Sequence, residues 1–123
     1  MKPRTAPHFH VRAGHMRLSD ALPDFATSVA SALDSEGYAH LRSRVLTAAV
    51  ESWTYDPSVK AGYIYLAQLT PIHPGETSAA TTLAFGPPHW FNIDLRVNEG
   101  IFGIELLADA KEITSALDSY RAP

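Results

Sequence analysis

Two loops and one hairpin hold the residues whose types could do chemistry. His73 lies in Thr70-Pro71-Ile72-His73-Pro74-Gly75, and His89 in Gly86-Pro87-Pro88-His89-Trp90. Imidazole titrates near neutral pH, so either histidine is a candidate general acid or base, oriented by a nearby aspartate. If both loops reach the same end of a sheet, His73, His89, Trp90 and Tyr65 would line a pocket. Asp94 and Glu105 flank the turn Asn98-Glu99-Gly100, and pairing about that turn carries Asp94 towards residues 104–105. Two close carboxylates could share a proton or hold Mg²⁺ or Ca²⁺. Each candidate has a structural competitor: exposed loop histidines, a Trp90 that closes the core, a Glu105 that accepts from backbone N–H groups. His8 and His10 would share one strand face, with His15 five residues on, but no metal site or cofactor is assigned from that spacing.

Aromatic density is the strongest hint of binding. Trp53, Tyr55, Tyr63, Tyr65, Phe85, Trp90, Phe91 and Phe102 fall in one short span. Strand alternation cannot send all of these rings into one core, so some are expected on a cavity wall or a protein interface. Tyr63, Tyr65, Trp90 and Phe91 are the candidate ligand- or partner-binding residues. Basic residues are not interleaved with them, which disfavours a base-stacking nucleic-acid surface.

Several function classes fall away on composition. There is no cysteine, so thiol nucleophiles, thiolate metal sites and disulfides are excluded, and a cytoplasmic location is the default. No glycine-rich phosphate loop, Gly-x-Ser-x-Gly or His-Glu-x-x-His is present. No apolar run approaches the roughly 18–20 residues of a membrane helix. The net charge of −3 is uneven: residues 1–17 carry Lys2, Arg4, Arg12 and Arg17 and no acid. That leaves six cations against thirteen acids in the remainder, an acidic body that repels phosphate backbones. The basic arm, residues 1–17, has Pro3, Pro7 and Gly14 and no periodicity, and is expected to be disordered. Its arginine-rich, acid-poor character also fits an organelle transit peptide loosely.

The elements that must position these residues form one domain, expected over 18–123. Leu22, Phe25, Ala26, Val29 and Leu33 make one apolar helix face, with Pro23 in the first turn and Gly37 as the stop. From Tyr38 the spacing is helical, changing to strand between Arg44 and Val50, and Val50–Tyr55 is a strand. Asp56-Pro57-Ser58 is a turn. Strands follow over Ala61–Leu69, Glu76–Phe85, Phe91–Val97 and Ile101–Leu107, the first of these apolar on both faces and therefore central. Gly103, among β-formers, marks a bulge or a close packing contact. Ala110–Tyr120 is a helix with an Ile113, Ala116, Leu117, Tyr120 stripe, and Asp109 with Glu112 suggests a capping box. The expected fold is α+β: an antiparallel four- to five-stranded meander sheet with an N-terminal and a C-terminal helix packed against it.

Two strand-turn-strand pieces carry a resemblance. Tyr55, Asp56, Pro57, Tyr63 and Ile64, then Asp94, Gly100, Gly103, Ile104 and Glu105, resemble the pattern of the bacterial domain of unknown function 2283 family over about residues 50–108. The chain departs where that pattern has an acid and a leucine, placing Lys60 and Gly62 there, and in the added Gly86–Trp90 loop. The resemblance implies a compact β-rich module with an antitoxin-like, partner-binding role and no established catalytic residues. The first expectation is therefore a small non-enzymatic interaction module that binds a partner protein, or itself as a homodimer, through sheet and aromatic surface. The alternative is a small enzyme or ligand-binding protein with an apolar pocket for a hydrophobic small molecule, for example in a biosynthetic pathway.

Overall fold

The computed structural model describes residues 8–10, 16–68, 81–86, 90–96 and 100–120. Two layers result: a six-stranded antiparallel sheet and a set of helices covering one of its faces. The strands are β1 (His8–His10), β2 (Val50–Asp56), β3 (Ala61–Leu66), β4 (Thr81–Phe85), β5 (Phe91–Leu95) and β6 (Ile101–Leu106). The helices are α1 (Leu18–Ala21), α2 (Pro23–Ser35), α3 (Arg42–Thr47) and α4 (Ala110–Ser119), with a 3₁₀ turn at Ala39–Leu41. The α+β class, the antiparallel sheet and a helix at each end all match expectation.

Sheet order is β1-β2-β3-β6-β5-β4. Each half is a meander, but β3 takes β6 as its second neighbour instead of β4. The reason is burial: β3 and β6 are largely buried and suit the middle, whereas β4 is exposed at Thr81, Thr82 and Ala84 and suits an edge. Two described parts of residues 1–17 lie against the sheet. His8–His10 pairs with Ser52–Thr54, Met16 is buried, and the Val50 and Leu18 N–H groups donate to Met16 and Ala48 carbonyls, so the chain is stitched to β2 before residue 18.

Helix α2 is held by the face its sequence announces: Phe25, Ala26, Val29, Ala30 and Leu33 are buried. Its end is set by Gly37 at φ 85°, which lets the Gly37 N–H donate to Asp34 O and the Tyr38 N–H donate to Leu33 O at 2.8 Å. That is a left-handed C-terminal cap, available cheaply only to glycine. The capping box at α4 is not formed. Asp109 sits at φ 55° and makes no side-chain cap bond, because in the left-handed region its carboxylate is not aimed along the first turn.

Alternation sorts the sheet into two faces. Trp53, Ile64, Ile104, Ile93 and Leu83 stand in one register row and Tyr55, Gly62, Leu106, Phe91 and Phe85 in the next. These meet the helices: Phe25 of α2 lies edge-on to Phe91 at 5.7 Å, and the Trp53 indole N–H donates to Asp118 Oδ1 of α4 at 3.0 Å. Gly62 permits the close approach of β2, since a Cβ there would lie 2.8 Å from Thr54 O, while Ala110 Cβ of α4 stands at an ordinary contact distance of 3.5 Å.

Candidate functional site

The chemistry-bearing residues that the structure brings together lie on the sheet face opposite the helices. Thr54, Tyr63, Glu105, Asn92 and Ala84 form one register row, and Ser52, Tyr65, Gly103, Asp94 and Thr82 the next. Register explains the meeting of Tyr63 and Asp94, which sit on β3 and β5 with β6 between them. Two strand spacings, roughly 9.5 Å, separate those backbones. Tyr63 spans them by lying flat over Gly103. A Cβ at Gly103 would fall 2.4 Å from both Tyr63 Cε1 and Ile64 O. The phenol then reaches Asp94 and donates to Oδ2 at 2.7 Å, while Thr82 donates to Oδ1 at 2.8 Å.

Both Asp94 and Tyr63 are 1% exposed. Burial, then the hydrogen bond to Asp94, pushes the Tyr63 hydroxyl far above the usual tyrosine range. The phenol is thus a fixed donor. Tyr65 packs against it with ring centroids 4.5 Å apart. Beside this trio, Asn92 donates to Glu105 Oε1 at 3.0 Å. A further cluster closes the sheet at the other end: buried Arg96 donates to Gln68 Oε1 at 3.1 Å and stacks on Phe102 at 5.9 Å, and Gln68 donates to Leu66 and Ile101 carbonyls.

Asp94 and Glu105 therefore share a face but are engaged by different donors. A bulge between Asp94 and Leu95 resets the hairpin, so Asp94 pairs with Gly103 rather than residues 104–105. The arrangement can hold side chains rigid; both Asp94 oxygens accept hydrogen bonds within the fold. Among the described residues no three histidine, aspartate or glutamate side chains converge as metal ligands. His73 and His89 lie outside the described residues, so the pocket they were expected to line does too.

The four candidate binding rings are divided. Phe91 is buried on the helix side against Phe25 and Phe85, Tyr63 is buried on the other face, and Tyr65 is half-buried beside it. Trp90 is 52% exposed. Leu107, 47% exposed, stands next to it, its N–H donating to Trp90 O at 2.9 Å. Both residues extend the row that ends at Asp56 and Ala61, so the exposed Val59 of the adjacent turn belongs to the same sheet end. That turn is the expected one, with the Ser58 N–H and hydroxyl donating to Asp56 Oδ1. Sequence reasoning did not find Thr82, Asn92, Gln68 or Leu107; a strict two-residue count along each strand would have placed Thr82 and Asn92 beside the carboxylates they serve.

No helix among the described residues is long and apolar enough to cross a membrane. Comparison with protein-family models, curated proteins and solved structures returned no match.

Proposed function

We propose that this chain is a non-enzymatic protein-interaction module that binds a partner through the sheet end bearing Trp90, Leu107 and Val59. The observation that carries the reading is the adjacency of a half-exposed indole and a half-exposed leucine on neighbouring strands. Tryptophan is the side chain most enriched among residues that dominate interface energy, and paired apolar side chains on a strand end offer it a ready rim. Asp94 and Glu105, two of the four candidate catalytic residues, are meanwhile hydrogen-bonded inside the fold, which supports a structural role for that face and leaves binding to the apolar sheet end. Thirteen acidic residues outside a basic arm favour a partner with a basic face. The antitoxin-like role implied by the family resemblance is the specific form of this reading, with a small toxin-like protein as the partner.

The test uses the product of the adjacent gene as first partner. In a Trp53→Phe background, Trp90 is the sole indole and its emission reports the patch. Binding should shift that emission, and Trp90→Ala should weaken affinity by about 30-fold, the measure of a hot-spot residue worth about 2 kcal/mol. Binding that leaves Trp90 emission and affinity untouched would overturn the reading.

A further inference from the structure

β4 forms one edge of the sheet among the described residues, and its own five residues carry no charge, proline or bulge to defend it. Among the described residues β4 pairs with β5 on one side only. Its sequence, Thr81-Thr82-Leu83-Ala84-Phe85, contains no charge, proline or glycine, and no bulge interrupts its register with β5. Charge, proline and bulges are among the devices by which sheet edges are kept from pairing.

Hydrogen-bond parity fixes which groups the edge presents. The Leu107 N–H donates to Trp90 O, so in the β5–β6 ladder Trp90, Asn92 and Asp94 face β6. Phe91, Ile93 and Leu95 must then bond β4, through Phe85, Leu83 and Thr81. Thr82 and Ala84 are left with their N–H and C=O groups directed away from the sheet. Such groups are satisfied by water or by another strand.

We propose that β4 pairs antiparallel with β4 of a second copy about a two-fold axis at Leu83, making one continuous sheet across the dimer. The register is self-consistent. Each outward N–H of Thr82 meets the outward C=O of Ala84 in the second copy, and the reverse. Leu83 meets Leu83, and Thr81 meets Phe85, all on the helix side. This placement accounts for Leu83 and Phe85, which are only half-buried although they belong to the apolar rows headed by Ile93 and Phe91. A chargeless strand meets its own copy without like-charge repulsion, whereas strands with one charge at the centre do not. One five-residue strand pair buries less than the roughly 1,600 Å² of a standard interface, so the dimer should be concentration dependent, with Kd on the micromolar scale. The proposal uses a different surface from Trp90 and Leu107 and stands or falls without the partner reading.

Sedimentation and light scattering of the full chain, over a roughly hundredfold concentration range, test it. The wild type should pass from monomer to dimer. Ala84→Pro removes only an outward donor and leaves the β5 ladder intact; it should remain monomeric with a wild-type circular dichroism spectrum, while Ala84→Ser should dimerise normally. Amide exchange supplies a readout that needs no variant: the Thr82 and Ala84 amides should slow by about tenfold or more as dimer forms, with the Asn92 and Asp94 amides slow throughout. A wild type that stays monomeric overturns the proposal. A dimer in which the Thr82 and Ala84 amides exchange freely, or one that survives in folded Ala84→Pro, overturns it equally.

Discussion

Gly103→Ala is the sharpest probe of how this sheet is built. The new methyl group would lie 2.4 Å from Ile64 O and from Tyr63 Cε1, and 2.9 Å from Tyr63 Cζ. A side-chain tip could swing away, but Ile64 O belongs to the paired strand and cannot move without the ladder. Overpacking of this kind costs about 1–3 kcal/mol. The ring of Tyr63 must also lift, and lifting it withdraws the donor from Asp94 Oδ2, at about 1.5–3 kcal/mol for a bond to a carboxylate. The alanine recovers about 0.4–1 kcal/mol through the unfolded chain. The net loss is therefore about 3 kcal/mol. Tyr63→Phe alone should cost about 2 kcal/mol, because Asp94 keeps Thr82 but loses its phenol. If the methyl acts by displacing Tyr63, the two losses overlap, and the double variant should be less destabilised than the sum by more than about 1 kcal/mol. Urea unfolding of the four proteins measures this directly. Additivity within about 0.5 kcal/mol, or a Gly103→Ala protein as stable as wild type, would refute the argument that Gly103 exists to let Tyr63 cross β6.

Two further expectations follow from the same contacts. Because the Tyr63 hydroxyl is raised in the folded state, the unfolded chain releases this proton first, at about pH 10; stability is intact below that pH and falls as pH rises above it, and Tyr63→Phe should flatten that alkaline limb in urea unfolding followed against pH. Asp118→Ala strips the buried Trp53 N–H of its α4 acceptor and should cost about 1 kcal/mol, with a red shift of Trp53 emission measured in a Trp90→Phe background.

The sheet face that carries the candidate site was legible in part. Phe91, Ile93 and Leu95 alternate with Asn92, Asp94 and Arg96, and that period alone assigns Asp94 to the polar face. Pro23 and Gly37 bracket α2 as expected, and the helix-to-strand change falls at Thr47 to Val50. Three things escaped local rules. The Asp94–Leu95 bulge moves the register by an amount no turn residue announces. The β3–β6 pairing is a choice among strands of similar character, decided by which two can be buried on both faces at once. His8–His10 joins the sheet because β2 offers a free edge, although its own residues advertise no strand. Asp109 failed as a cap for a conformational reason: the capping-box pattern specifies side-chain types, whereas the bond requires extended backbone at that residue.

The polar face and the edges answer one another. A face on which Tyr63 and Thr82 both donate to Asp94, and Asn92 donates to Glu105, holds those side chains in fixed rotamers. That bonding commits Tyr63, Asp94 and Glu105 to the architecture of the face. Among the described residues the exposed large apolar side chains are Trp90, Leu107 and Val59, all at one end, and the outward amides of Thr82 and Ala84 line β4. A fixed frame with an apolar end and an open ladder suits recognition of a folded surface or a strand, since neither asks the frame to move. For the Asp94 carboxylate to take up a proton or a ligand it would have to release Tyr63 or Thr82, and the Tyr63 phenol, held as a donor at the centre of the face, opposes that exchange.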